Sequence, residues 1–238
     1  MNNSLTLVAV ADTHLKMTLK SLRKSSEEID YKHILLMTSK EIKKSEVFSG
    51  LNIIKIKPLK SFKDYNNFII YKLHKFIKTT HVLIVQWDGF VINPKKWNSE
   101  FLNYDYIGAP FIPRAKDFNY SRDKNKNFYS IGNGGFSIRS RSILKAASKY
   151  SLKDDVQLTS YHEDGFFCVL HREFLESKGF KWAPYNIAKE FAIESPISFH
   201  DFSSLPFGFH GKKILKLYPL ISFINKLYKF KKLFKTNN

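Results

Sequence analysis

"THVLIVQWDGFVINPKKW", residues 80–97, decides how this chain is read. His81 to Val85 form a short apolar run of the kind that makes a buried strand. The run then stops on an amide, a large ring and a lone carboxylate: Gln86, Trp87 and Asp88. In an open parallel sheet, ligands sit beyond the carboxyl ends of the strands. A carboxylate placed just past Val85 therefore faces the crevice where a ligand binds. A hard oxygen donor there suits Mg²⁺ or Mn²⁺, which few protein groups hold and phosphates and water complete. The plainer reading is that Asp88 opens a turn before Gly89.

Outward from this stretch, the pattern repeats. Residues 5–10 (LTLVAV), 33–39 and 51–59 read as strands, and Leu15, Leu19 and Leu22 recur at helical spacing. Residues 64–78 place Tyr65, Phe68, Ile69, Leu73, Phe76 and Ile77 on one stripe of an amphipathic helix. The order β-α-β-β-α-β predicts a mixed, mostly parallel sheet flanked by helices, an α/β fold. Further on, residues 113–130 lack periodicity and read as a long surface loop. Residues 131–140 read as a glycine turn and a strand, with Ser140 placed to cap a short helix. Residues 161–180 carry a helical stripe closed by Gly179. No internal repeat and no linker divides residues 1–211, which are expected to form one domain.

At 238 residues the chain buries one sizeable core. Its 22 Phe and 12 Tyr predict a core or cleft rich in rings, and its single cysteine, Cys168, excludes an internal disulfide. The start, MNNSLTLVAVADTH, lacks a basic leader and has Asp12 interrupting its apolar run, so it does not read as a signal peptide. The formal net charge of +18 points to a polyanionic neighbour. Residues 212–238 hold eight lysines and no acid, interleaved with apolar and aromatic residues. Pro219 is expected to kink or break any helix there. This is the composition of a basic amphipathic segment lying on an anionic membrane surface. The expected location is cytoplasmic, peripheral on the inner face of the membrane. Charge alone also suggests nucleic acid, but no such motif occurs and the basic density sits in one terminal segment, so nucleic acid is not expected.

Two acids in SYHEDGFF separate on local grounds. Ser160 followed by Glu163 is spaced as a capping box, which gives Glu163 a structural task and leaves Asp164 without one. In GNGGFS, Gly132, Gly134 and Gly135 allow positive φ or close backbone approach. Arg139 and Arg141 follow, and each reads equally well as a solvated charge.

VQWDGFVINP (85–94), YDYIGAPF (104–111), GNGGFSIRS (132–140), HEDGFF (162–167) and PFGFHG (206–211), in this order, resemble a bacterial GT-A-type glycosyltransferase-like family of mostly uncharacterised sequences, DUF5672-like. That group is distantly similar to the fringe and β-1,3-glycosyltransferases, and the resemblance runs from about residue 5 to 211. It implies a nucleotide-sugar donor, of the uridine diphosphate hexose kind, a divalent cation (Mn²⁺ or Mg²⁺), inversion at the sugar, and a cell-surface glycan or lipid-linked acceptor. It assigns Asp88 to the last position of the Asp-x-Asp metal motif, with Gln86 replacing the first acid, and His210 as a second metal ligand. It implies Asp164 as catalytic base beside Glu163. Asp12 and Thr13 would meet uracil and ribose, with Thr13 equally suited to cap the first helix. Gly132, Asn133, Gly134 and Gly135 would line the sugar pocket with Gln86 and Trp87, although Trp87 also reads as a packing residue. A sugar- or nucleotide-binding protein without turnover is the other reading that the Gln86 departure keeps open.

Overall fold

The computed structural model describes residues 4–110, 122–123, 125–194 and 205–220. Much of the loop expected at 113–130, and residues 221–238 of the basic segment, lie outside the described residues.

The two most apolar runs become adjacent central strands. β1 (Leu5–Val10) is buried at every position, and β4 (His81–Val85) is buried from Val82 to Val85. Strands covered on both faces need no polar alternate, which is why neither alternates. With β2 (His33–Thr38), β3 (Leu51–Lys55), β6 (Tyr106–Gly108) and β7 (Phe136–Ser140), they form a six-stranded sheet in the order β3-β2-β1-β4-β7-β6. The β1–β2, β2–β3 and β1–β4 pairs are parallel, with Val8 opposite Ile84. β7 runs antiparallel to both β4 and β6. The predicted order and the mostly parallel, helix-flanked α/β sheet are what the chain adopts.

Between the parallel strands lie α1 (Leu15–Ser26), which buries Leu19 and Leu22, and α2 (Phe62–Tyr71), which buries Phe68 and Ile69. α3 (Arg141–Lys149) follows β7 and is capped as expected, with Ser140 Oγ accepting from Ile143 N at 3.0 Å. Three expected elements change at their ends. β3 stops at Lys55 because its partner β2 ends at Thr38, the residue paired with Lys55. The helix expected to run to 78 ends at Tyr71 and continues as a single 3₁₀ turn, Leu73–Lys75. The helix expected over 161–180 is broken: after α4 (Val156–Thr159) come α5 (Glu163–Gly165), a wide π-turn at Phe166–Leu170, and α6 (Arg172–Ser177). Residues 163–169 are buried without interruption, so no single stripe directs this segment, and the chain widens its turn instead. Gly179 closes it as expected, at φ 87°.

A second, smaller sheet carries the site. α7 (Tyr185–Phe191) leads into β8 (Ala192–Ile193), and β9 (Gly208–His210) lies between β8 and β5 (Gly89–Val91). The expected ring-rich core sits where the sheets meet: Phe136 lies 5.2 Å from Phe191, and Phe101 lies 5.3 Å from Phe191, ring centre to ring centre. Residues 212–220 are helical, so Pro219 does not break the described part of this helix. They do not stand off from the body, since Ile214 is fully buried and Tyr218 packs on Phe90 at 4.9 Å. Among the described residues no helix is long and apolar enough to cross a membrane.

Candidate active site

The strand order reverses between β1 and β4, and the carboxyl ends of these two strands part there. Such a switch point is where open α/β sheets bind ligands. Past β4 the chain folds back at once, with Gly89 N donating to Gln86 O at 3.2 Å, so Asp88 does sit in a turn. The turn feeds β5, whose register pairs Gly89 with His210 of β9. That single pairing brings together residues far apart in sequence: His210 Nε2 lies 3.4 Å from Asp88 Oδ1 and 3.4 Å from Gln86 Oε1. Asp88 is 6% exposed, and its buried Oδ1 has the His210 imidazole, at 3.4 Å, beside it. One carboxylate, one imidazole and one amide oxygen thus converge, donors of the type Mn²⁺ takes and Mg²⁺ takes in part. Among the described residues no three His, Cys, Asp or Glu side chains gather as a metal cluster.

The far side of the imidazole is held as well. His210 Nδ1 lies 2.9 Å from Asn133 Nδ2 and 3.3 Å from Glu194 Oε1. Burial alone pushes the imidazole down, but its hydrogen bonds to Asp88 and Glu194 prevail and raise its pKa to about 10. Asn133 was expected to meet sugar hydroxyls. Its Oδ1 accepts from Phe136 N at 3.3 Å, and its Nδ2 lies against the His210 ring. Glu194 carries no sequence signal, because it belongs to no motif and reaches the site only through the β8–β9 pairing.

The glycine turn joins the two halves of the site. None of Gly132, Gly134 and Gly135 is among the glycines of positive φ, and close approach is what Gly134 and Gly135 use. A side chain on Gly135 would strike the His210 ring, and one on Gly134 would strike Glu163 and Arg139. Gly135 O accepts from Gln86 N at 2.9 Å. Gly134 N donates to Asp164 Oδ2 at 3.1 Å, and Gly165 N to Asp164 Oδ1 at 2.8 Å. Asp164 thus has a local task after all. The capping box does not form. Ser160 takes a left-handed conformation, φ 49°, at the end of α4, and Asn66 Oδ1 accepts from Glu163 N at 2.9 Å. Glu163 instead pairs with Arg139 at 2.8 Å. Arg139 is not a solvated charge: it is fully buried, stacks 4.8 Å from the Tyr106 ring centre, and donates from Nη2 to Gly134 O at 3.4 Å. Breaking such a buried pair costs about 3–5 kcal/mol, because one charge is left unpaired.

Beside Gln86 opens a cavity of about 420 Å³ between the ends of β1 and β4 and the start of α2. It is lined by Asp12, Thr13, Gln86 and Trp87, as expected, and by Lys60 and Tyr65, which sequence reasoning missed. Tyr65 had read as a stripe residue of its helix, yet its Oη accepts from Gln86 Nε2 at 2.8 Å. Burial and the nearby Glu163 push this phenol up. Asp12 does not offer a free carboxylate. Its oxygens accept from Ser39 N (2.7 Å), Ser39 Oγ (2.8 Å), Thr38 Oγ1 (2.9 Å) and Leu59 N (2.7 Å). Burial pushes this acid upward, and these hydrogen bonds outweigh it and hold the carboxyl below its ordinary value. Thr13 does not cap α1; that position is His14, left-handed at φ 52°, so Thr13 stays exposed at the cavity mouth. Trp87 is half-buried and stacks on His14 at 4.5 Å, with Lys212 Nζ 5.3 Å above its ring. Gly132 is buried in the turn.

No curated protein matches the sequence. Among solved structures, the fold is similar to that of the galactosyltransferase LgtC in complex with donor and acceptor sugar analogs, at 12% identity and TM-score 0.49 over 87% of each chain. It is similar also to an active-site mutant of LgtC, at 12% identity and TM-score 0.50, again over 87% of each chain. At this identity the likeness is one of fold alone. The sequence profile of the proteins of unknown function called DUF5672 matches residues 50–210, which include Asp88, the glycine turn, Glu163, Asp164 and His210, and the chain belongs to that family.

Proposed function

We propose that this chain is a nucleotide-sugar-dependent glycosyltransferase that moves a hexose, from a uridine diphosphate donor, to a cell-surface glycan or lipid-linked acceptor. The observation that supports it most is the meeting of Asp88, His210 and Gln86 at the switch point, beside a cavity of about 420 Å³. That volume lies in the range of small-ligand sites. The nucleotide would enter between Thr13 and Trp87, with its diphosphate toward Asp88 and Lys60.

The buried Asp88 Oδ1 and His210 Nε2, 3.4 Å apart, would hold a divalent cation between them once the imidazole gives up its proton, with Gln86 Oε1 as a neutral third donor. Such a cation would neutralise charge on the leaving diphosphate. The acceptor hydroxyl attacks the anomeric carbon, the carbon–diphosphate oxygen bond breaks, and the hydroxyl proton passes to Asp164. In-line displacement of this kind inverts the sugar. Glu163 is assigned a positioning role: with Arg139 it fixes the Gly134 peptide that Asp164 also grips. The basic segment would hold the enzyme on the anionic inner face of the membrane, where such acceptors are made.

A second reading, a protein that binds nucleotide or sugar without turnover, is favoured by two features. Gln86 supplies no charge, and both Asp164 oxygens accept backbone N–H groups. Calorimetry separates the binding claim. Uridine diphosphate should bind about tenfold more tightly with Mn²⁺ than without, and Asp88→Ala should remove the difference. A variant that behaves like the wild type takes Asp88 out of the site. A donor screen for released nucleotide diphosphate then decides turnover: binding without release in Asp164→Asn, against release by the wild type, supports the enzyme. A wild type that binds and never releases supports the second reading.

A further inference from the structure

A second hollow, of about 390 Å³, lies at the opposite end of the central sheet. Its walls include Lys78 and Thr80 before β4, Ser142 and Lys145 on α3, and Arg141 between them. The five residues of β4, at about 3.3 Å each, set it roughly 16 Å or more from Asp88. Three cations border it, and none has an ion-pair partner among the described residues. Asp105 also lines it, yet its carboxylate is already taken by Ser140 Oγ at 2.5 Å and Lys181 N at 2.9 Å. Arg141 Nε is shielded from solvent and has no acceptor. The nearby His74 Nδ1 is in the same condition, and its imidazole is held below the ordinary value by burial and then by Lys75, Lys145 and Arg141.

A shielded guanidinium donor without an acceptor costs about 1–3 kcal/mol, and more for a charged group, so native proteins seldom leave one. Here the one carboxylate lining the hollow, Asp105, is held by Ser140 and Lys181, and the three cations outnumber it. The helix end adds little, because Arg141 N already donates to Thr80 O at 2.7 Å and Ile143 N to Ser140 Oγ. What remains is the planar fork of Arg141 flanked by two flexible ammonium groups, an arrangement suited to a tetrahedral oxyanion.

We propose that this hollow binds a phosphate group, separately from the donor cavity, through Arg141, Lys78 and Lys145. The phosphate belongs either to a soluble phosphate ester or to an acidic lipid headgroup.

The test is residue-resolved. Inorganic phosphate is titrated into the full-length chain at fixed ionic strength, and backbone amide shifts are followed by NMR at Ser142–Lys145 and at Gln86–Gly89. The expected result is a saturable shift at Ser142–Lys145, weakened about tenfold or more by Arg141→Gln and by Lys145→Gln. Lys145 is exposed, so its variant stands even where Arg141→Gln perturbs folding. A linear, unsaturating shift, a shift confined to Gln86–Gly89, or a saturable shift indifferent to both substitutions overturns the proposal. Sedimentation with phosphatidylcholine vesicles containing phosphatidic acid distinguishes the two sources. Binding reduced by Lys145→Gln assigns the phosphate to a headgroup. Unchanged vesicle binding beside weakened inorganic phosphate assigns it to a soluble ester.

Discussion

Glu194 and Asp12 show how much of the candidate site is decided by single hydrogen bonds. A histidine that gives Nε2 to a cation usually donates Nδ1–H to a carboxylate, which orients the ring and raises its basicity. Glu194, 3.3 Å from His210 Nδ1, is in place for that task. Glu194→Gln should therefore lower Mn²⁺ affinity about tenfold or more, read by calorimetry without nucleotide. Because the Glu194 side chain is 34% exposed, the melting temperature should hardly move. An unaltered Mn²⁺ isotherm would deprive Glu194 of this role. Asp12 acts on stability instead. Its folded pKa lies below the ordinary 3.8, so its contribution is complete above that value and is lost as pH falls through the folded pKa. Asp12→Ala should cost about 2–3 kcal/mol at pH 7, since hydrogen bonds to a charged group are lost. The gap to the wild type should narrow below pH 3.8, and urea unfolding at both pH values checks it.

The turn from Gly132 into β7 is the element on which both halves of the site rest. Its backbone is ordinary; its demand is for space, since His210 packs where a Gly135 side chain would lie. Gly135→Ala should push the imidazole off Asp88 and weaken metal-linked binding of uridine diphosphate by tenfold or more, with a cost of about 1–3 kcal/mol from overpacking. Gly179 is the contrasting case. It sits at φ 87° with open space around it, so Gly179→Ala should cost stability and leave nucleotide binding intact. Equal binding by both variants would show that crowding at Gly135 is tolerated. The broken helix over 163–177 belongs to the same scale: its π-turn lets Phe166, Phe167, Cys168 and Val169 all face inward while Asp164 stays against Gly134.

For the whole molecule, the +18 charge gives a second expectation about place. The first turns of the basic segment belong to the folded body, where Ile214 and Tyr218 cover Phe90 and Phe209. A useful truncation therefore spares them and removes residues 221–238, with five lysines. Each lysine near an anionic surface adds up to about 1 kcal/mol. The truncated chain should leave phosphatidylserine vesicles in a sedimentation assay and retain donor hydrolysis. A truncated chain that sediments like the full-length one would move membrane attachment elsewhere on the surface.

Much of the architecture followed from local pattern. Apolar runs marked β1 and β4 as strands, and helical stripes between strands implied a mostly parallel sheet. Ser140 read as a cap, and Asp88 as a rim carboxylate, because strand ends and helix starts are written in neighbouring residues. What tertiary structure decided was the partner of each polar group. Arg139 read as well for solvent as for the site, Glu163 as a cap, Asp164 as unengaged and Asn133 as a sugar contact, because a sequence shows charge but not burial. Glu194 left no trace at all. Their roles depend on which strands pair: Gly89 meets His210 across 121 residues, and β8 lies beside β9. A buried charge must find its counterpart wherever the chain's return brings one, and that return is a property of the whole fold.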